Sequence, residues 1–387
     1  MQGFLGYSRD FWLLCISSMF FFGSFNMVIP ELPNFLTSIG GGEYKNWIIA
    51  SFSLVALISR PFSGKITDSV GRLPVMIFGA LICALTGFLY IFISGVTLFF
   101  VLRAVHGLSA GFTPTGNVAY IGDIVSAERR GEAMGWMGMA GNIGAAMGPS
   151  LGGFIVLHLG IQALFISSSV MGFLSLVIFL KMKETLVPTE RLNFSHFKIN
   201  IQDFWEPSVR RVSMVMALSV FSFGTILTVI PDLSVHLGIE NKGYFFTIFT
   251  LSSLLTRLLA GKASDRYGRE PLVRIGCILL AISMFSLSLT ETAFMLVFSA
   301  VLMGLAQGVI SPTLFAWASD LSPVHAKGRS MATLYIALEL GVSVGAYISG
   351  TVYANKISNL FWAFNLCTSF AIIALLYLLI FKPKYYI

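Results

Sequence analysis

Long apolar runs alternate with short polar breaks from one end of the chain to the other. A run of about 18 or more apolar residues suits a helix crossing hydrocarbon roughly 30 Å thick at 1.5 Å per residue. Such runs occupy roughly residues 11–36, 46–63, 73–94, 96–120, 133–157, 161–181, 210–236, 243–263, 271–290, 293–318, 330–354 and 357–381. The pattern predicts twelve membrane-spanning helices. The one long polar stretch, about residues 182–209, lies mid-chain and carries Lys183, Glu184, Glu190, Arg191, Lys198, Asp203 and Glu206. It reads as a linker between one six-helix bundle at 1–181 and another at 210–387. Within it Phe194, Phe197, Ile201 and Phe204 recur at helical spacing, which predicts a short amphipathic helix on the inner membrane surface. The first apolar run is too long for a signal-peptide core and has no small-residue cleavage site nearby, so it is read as a retained span.

Composition narrows this picture. Of 387 residues 56% are apolar and 11% charged, against about 25% charged in a soluble domain, and twelve spans leave no room for a catalytic domain. The 37 glycines and 35 phenylalanines fit close helix packing under a lipid-facing surface. Cys15, Cys83, Cys277 and Cys367 all fall in apolar runs without a CxxC or Cys/His cluster, so neither a disulfide framework nor a metal site is expected.

The formal charge of +7 raises the question of a nucleic-acid partner, and the distribution of the cations answers it. With Arg60, Arg103 and Arg257 taken as membrane-embedded, 19 of the remaining 22 Lys and Arg fall on the side of the termini, and Lys45, Lys242 and Lys356 fall opposite. This asymmetry predicts cytoplasmic termini in the cell membrane and makes the positive charge a matter of topology. No nucleic acid is expected as a partner; membrane lipids are.

Displacing the sequence by 197 positions aligns residues 60–153 with 257–350 without a gap. Arg60, Gly64, Lys65, Asp68, Gly71, Arg72 and Pro74 fall on Arg257, Gly261, Lys262, Asp265, Gly268, Arg269 and Pro271, and further on Asp123 falls on Asp320 and Gly144 on Gly341. An even number of spans separates equivalent positions, so the halves share one orientation and an axis along the membrane normal.

The loop Gly64-Lys65-Ile66-Thr67-Asp68-Ser69-Val70-Gly71-Arg72, repeated from Gly261 to Arg269, resembles the signature loop of the major facilitator superfamily. Gly64 and Gly71 permit a tight turn there, and Asp68 ends a helix where the helix dipole disfavours an anion, so it needs a cation. Arg72, Arg129 or Arg130 and the start of the eleventh span are the candidates. Asp123 would complete a cluster with Asp68 and Arg72, and Asp265, Arg269 and Asp320 would form its copy; such ion pairs can latch the cytoplasmic side. In the fourth span, Arg103 to Gly111 resembles the arginine-containing motif of proton-coupled facilitators. In the fifth, Gly144, Gly148, Pro149, Gly152 and Gly153 match the glycine-proline motif associated with antiporters of this superfamily. The second half keeps Gly341, Gly345 and Gly350 but has Ala346 in place of the proline. The resemblance covers nearly the whole chain and implies the twelve-helix drug:proton antiporter branch: an all-α polytopic fold of two pseudo-symmetric bundles, monomeric, exchanging protons for a small organic molecule, with the proton gradient in place of any cofactor.

Substrate sites of this plan lie near the bilayer midplane. Asn26 and Phe25 in the first span, His106 and Asn117 in the fourth, Gln307 in the tenth and Glu339 in the eleventh are the cavity candidates. Phe21, Phe22, Phe221, Phe223 and Trp317 offer further stacking surface. Arginine inside a span is expensive, so Arg103 should face a partner or water. Its estimated depth is close to that of Glu31, which predicts a Glu31–Arg103 pair. Burial favours a protonated carboxyl and a nearby cation an ionised one, so Glu31, with Arg103, leads as the proton carrier, followed by Glu339 and His106. An uptake symporter of the same fold is the alternative. A receptor or channel would not need two matched gating loops, and no nucleophile, metal or paired-acid constellation marks an enzyme.

Overall fold

The computed structural model describes residues 6–126, 129–186, 205–323 and 327–381. The predicted amphipathic helix at 194–204 lies outside them. Among the described residues the structure is helical throughout: α1 (Arg9–Val28), α2 (Leu32–Ser38), α3 (Trp47–Ser69), α4 (Arg72–Leu89), α5 (Val96–Ile124), α6 (Arg130–Leu180), α7 (Arg210–His236), α8 (Tyr244–Tyr267), α9 (Arg269–Ser288), α10 (Ala293–Leu321), α11 (Lys327–Tyr353) and α12 (Leu360–Ile380). Ten of these are long and apolar enough to cross a membrane. α8, which carries Arg257, Lys262, Asp265 and Arg266, is not among the ten. α6 holds two spans, parted at Gly160, where φ 83° and ψ 173° interrupt the helix. With α2 as a continuation of α1, the chain therefore carries twelve spans.

The first predicted span is broken rather than continuous. Pro30 has no N–H to give the helix and Pro33 opens the next one, so α1 stops at Val28 and Glu31 occupies the N-cap of α2. At the ends on the side of the chain termini the helices outrun the apolar pattern. α3 continues through Gly64 to Ser69, and Thr67 and Ser69 donate their hydroxyls to the Ser63 and Lys65 carbonyls inside it. Gly64 is consequently a helix residue and not part of the turn that the sequence suggested. The turn is made by Gly71 alone, at φ 149°, and by Gly268, at φ 91°, in the second copy.

The repeat is exact in the helices as well as in the residues. α8, α9, α10 and α11 begin 197 positions after α3, α4, α5 and α6 respectively. The chain divides into two compact units: residues 1–44, 51–203 and 241–244 form the first, and residues 45–50, 204–240 and 245–387 the second. Each unit thus incorporates a short segment from the opposite half of the sequence, which a division at a central linker does not foresee.

Within the first unit α1 packs along α6 and α4 against α5; within the second α7 packs along α11, and α9 against α10 and α12. Lipid is as apolar as leucine, so helices associate there through close packing and small polar groups. Ser17 and Ser24 of α1 pair with Ser175 and Ser168 of α6, with Oγ···Oγ separations of 2.7 and 3.3 Å. Thr225 of α7 pairs with Ser349 of α11 at 2.7 Å. Towards the N-terminal end of α1 in the first unit an apolar cluster of Phe11, Leu14, Met76, Tyr120, Ile121 and Phe179 fills the space between helices. Large apolar side chains elsewhere, such as Leu159, Leu255, Leu259 and Phe294, face outward, as lipid contact requires.

Gly160 sits in the left-handed region with open space where a side chain would project. Gly160→Ala should therefore cost only the backbone strain, about 1 kcal/mol, seen as a small fall in the midpoint of thermal unfolding in detergent.

Candidate functional site

The loop after α3 closes around Arg72. Its Nε donates to Asp123 Oδ2 at 2.9 Å, its Nη1 donates to the Thr67 carbonyl at 2.5 Å, and Asp68 stands 3.6 Å away. The second copy reproduces this: Arg269 Nε donates to Asp320 Oδ2 at 2.9 Å, and Nη1 to Ser264 Oγ at 2.5 Å. The side chain of Asp265 lies outside the described residues. Asp68 itself is 79% exposed, so its charge is held at the rim of the cluster rather than inside it.

One member of this cluster was not visible in the motif. Glu184, just after α6, accepts from the backbone N–H of Arg72 at 3.1 Å and of Leu73 at 2.9 Å. These are two of the N–H groups that the start of α4 leaves unsatisfied, and a carboxylate is the favoured partner there. Glu184 comes close enough that a Cβ at Gly71 would lie 2.6 Å from its Oε2, a second reason for glycine at that position. Thr185 Oγ1 then donates to Asp123 Oδ2 at 2.6 Å, and the Tyr120 hydroxyl to the Lys183 carbonyl at 2.8 Å.

The glycine-proline motif is a seat for α1. A Cβ at Gly144 or Gly152 would strike the Met19 or Met27 carbonyl, and one at Gly148 would lie 2.8 Å from the Gly23 carbonyl. Gly341 and Gly345 face the Ala217 and Phe221 carbonyls of α7 in the same way. Past Pro149, the amide of Asn241 donates to the Ser150 carbonyl at 3.1 Å, and Gly153 makes room for that Asn241 side chain.

Glu31 does not pair with Arg103. Its Oε2 accepts from Lys242 Nζ in a buried ion pair whose side chains are 5% and 9% exposed. Arg103 is fully buried in α5, its guanidinium 4.3 Å above the centre of the Phe52 ring and in electrostatic contact with Tyr90 and Cys83. A cation over an aromatic face is stabilised by the ring quadrupole, most strongly when desolvated. The depth estimate was one-dimensional: Pro30 ends α1 before Glu31 and turns that residue out of the α1 helical register.

Around Arg103 the structure gathers several of the candidates. The His106 ring, fully buried, meets Phe52 edge-on at 5.5 Å and has Nε2 3.7 Å from Cys83 Sγ; Phe52 in turn stacks with Phe25 at 5.7 Å. Asn26 donates to the Phe22 carbonyl within its own helix, and Asn117 donates to Ser18 Oγ at 3.1 Å. Gln307 and Glu339 belong to the second unit, where Gln307 donates to the Ser219 carbonyl at 3.4 Å and Glu339 is buried in α11.

A second ion pair, part-buried, was also missed. Lys45 Nζ donates to Asp232 Oδ1 and Oδ2 at 3.1 and 3.0 Å, and the Tyr353 hydroxyl reaches Asp232 at 3.3 Å. Its signal was in the sequence: Val28-Ile29-Pro30-Glu31-Leu32 recurs as Val229-Ile230-Pro231-Asp232-Leu233. That repeat has an offset of 201, not 197, and escapes a comparison made at one displacement.

Twelve spans in two repeated halves, motif loops closed by matched ion clusters, and glycine seats for α1 and α7 define a secondary-transporter architecture. The sequence model described as the Major Facilitator Superfamily matches residues 14–231 and 212–386, and the chain belongs to that family. It is a multi-pass membrane transporter and not an enzyme. Multidrug resistance protein 2 of Bacillus subtilis (strain 168) is 26% identical over 337 residues, covering 83% of this chain and 84% of that protein. Multidrug resistance protein MdtG of Salmonella typhi is 28% identical over 319 residues, 78% of each. Among solved structures, a D-xylose-proton symporter superposes with TM-score 0.82 at 17% identity, covering 97% of this chain and 98% of that one. The human organic anion transporter MFSD10 (TETRAN) gives 0.74 at 19%, covering 96% and 99%. At those identities the likeness is one of fold.

Two outcomes follow from the geometry. Gly144→Ala should destabilise by about 2 kcal/mol, because its Cβ meets backbone that cannot yield; the unfolding midpoint should fall clearly further than for Gly160→Ala. Asp68→Asn, at an exposed position, should leave that midpoint unchanged while slowing transport about tenfold, a barrier change of ~1.4 kcal/mol, measured as initial flux in vesicles.

Proposed function

We propose that this protein is a proton-coupled antiporter that exports small organic, drug-like molecules across the cell membrane by alternating access, with both termini in the cytoplasm. The observation that carries the reading is the complete glycine-proline motif of α6, in which Gly144, Gly148 and Gly152 are each seated against the backbone of α1. The names of the relatives, multidrug resistance proteins, support the substrate class.

Glu31 is the proposed proton carrier, with Lys242 rather than Arg103 as its counter-ion. Separation of the Glu31–Lys242 pair is the proposed point at which the proton is exchanged. A step of this kind, completed once in each orientation, moves a proton against the substrate. Arg103 is proposed to fix the local field near His106 and the Phe25–Phe52 surface, where an aromatic or lipophilic substrate would stack.

The test is flux in proteoliposomes with a panel of lipophilic dyes and an imposed pH gradient. Uphill dye movement opposite to the proton flow is expected; movement with the protons would make the protein a symporter of the same fold. Glu31→Gln should abolish gradient-driven accumulation while retaining dye exchange. Accumulation equal to the parent at every external pH would pass the role to Glu339 or His106. Impermeant maleimide added outside should label a cysteine at Lys356 and not one at Lys181, and the reverse pattern would overturn the topology.

A further inference from the structure

Two ion pairs, one buried (Glu31–Lys242) and one part-buried (Asp232–Lys45), are copies of each other, and each joins residues from opposite halves of the sequence. Lys45 and Lys242 are 197 positions apart, and Glu31 and Asp232 are each the fourth residue of the repeated Val-Ile-Pro-acid-Leu segment. The first acid pairs with the second lysine and the second acid with the first lysine. A second feature repeats with them. Gly153 leaves room for Asn241, next to Lys242, and Gly350, 197 positions on, leaves room for Asn46, next to Lys45. Asn241 donates to the Ser150 carbonyl, and Asn46 Nδ2 to Thr351 Oγ1 at 3.1 Å. Gly243 adds a backbone approach so close that a Cβ there would strike the Pro149 carbonyl.

We infer that these residues form a reciprocal clasp on the membrane side opposite the termini, and that Lys45, Lys242 and Asp232 are gating residues for transport, a role that rests on the alternating-access reading. Residues 241–244 are held in the first unit by the Glu31–Lys242 pair and the Gly153 seat. Residues 45–50 are held in the second by the Asp232–Lys45 pair, Tyr353 and the Gly350 seat. α3 and α8 start in these segments, so neither helix can shift at that end while its pair is formed. Buried opposite charges are satisfied by each other when the segments are seated and by water when they are released. The clasp is thus stable in a dry or a fully hydrated arrangement and unstable between them, which makes it a two-position element.

The clasp is tested by thiol access, without reference to transport. Removing one partner strands a buried charge, so the variants remove both: Asp232→Asn/Lys45→Met, which leaves Glu31 intact, and the same with Glu31→Gln/Lys242→Met added. Each carries Asn26→Cys as reporter, in full-length protein in membrane vesicles, and is labelled with an impermeant maleimide from the side opposite the termini. The native cysteines, all free and buried, give the blank. Labelling is expected to rise at least several-fold on neutralising the Asp232–Lys45 pair and further on neutralising both. The charge-swapped protein, Asp232→Lys/Lys45→Asp, should label as slowly as the parent. Parent-rate labelling of the doubly neutral protein would overturn the clasp, as would a charge swap that labels as fast as the neutral variant. Faster labelling in Asp232→Asn/Lys45→Met with slowed proton-driven accumulation, and complete loss of accumulation on adding Glu31→Gln/Lys242→Met, supports both readings. Faster labelling with accumulation surviving Glu31→Gln supports the clasp and moves the proton site elsewhere.

Discussion

A charge inside a membrane must bring its partner with it, and much of this molecule is arranged by that requirement. Hydrocarbon offers no hydrogen bonds, so the backbone closes on itself in helices and an embedded cation is best placed beside an acid or a π-face. Lys242 and Lys45 take carboxylates, Arg103 takes the Phe52 ring, and Arg72 and Arg269 take aspartates at the motif loops. Arg211 follows the same rule by dividing its guanidinium between Glu270 at 2.9 Å and the Leu378 carbonyl at 3.1 Å. On the proposed alternating-access reading, fold and gating use the same bonds, because the contacts that make a charge tolerable in one arrangement are those that must be exchanged to reach another.

Glycine plays the complementary part. Where α1 crosses α6 and α7 crosses α11, the absence of a side chain lets backbone meet backbone, and the helices touch along a line of carbonyls rather than through interdigitated side chains. Such a surface has few rotamers to unlock when it slides. Pro149, between Gly148 and Gly152 of the first seam, has no counterpart in the second, where Ala346 is buried, so the two halves share a packing plan and differ at this position.

What the sequence disclosed was whatever repeats at a constant displacement. The loops, Arg72 with Asp123, Arg269 with Asp320, and the helix starts all obey the same offset, and apolar periodicity located the spans. What it hid was angular. Depth along a helix can be counted from residue numbers, but the direction a side chain leaves the axis after a proline break cannot, and so Glu31 was matched with Arg103 on depth alone. Gly64 was misjudged for a related reason, since hydrophobicity marks where hydrocarbon ends and not where a helix does. Glu184 was concealed because a capping carboxylate is recognised only once the helix it caps, more than a hundred residues away, is in place.

Glu184 also changes what the region between the halves means for anyone who would cut or extend the chain. Its carboxylate closes α4, while Thr185 and Lys183 bind the end of α5. Residues 183–186 are therefore a structural element of the first half and not the beginning of a tether. A reporter domain, a protease site or a split between two separately expressed halves belongs after Leu186. The same operation a few residues earlier would remove the stopper from α4 and leave the signature loop open.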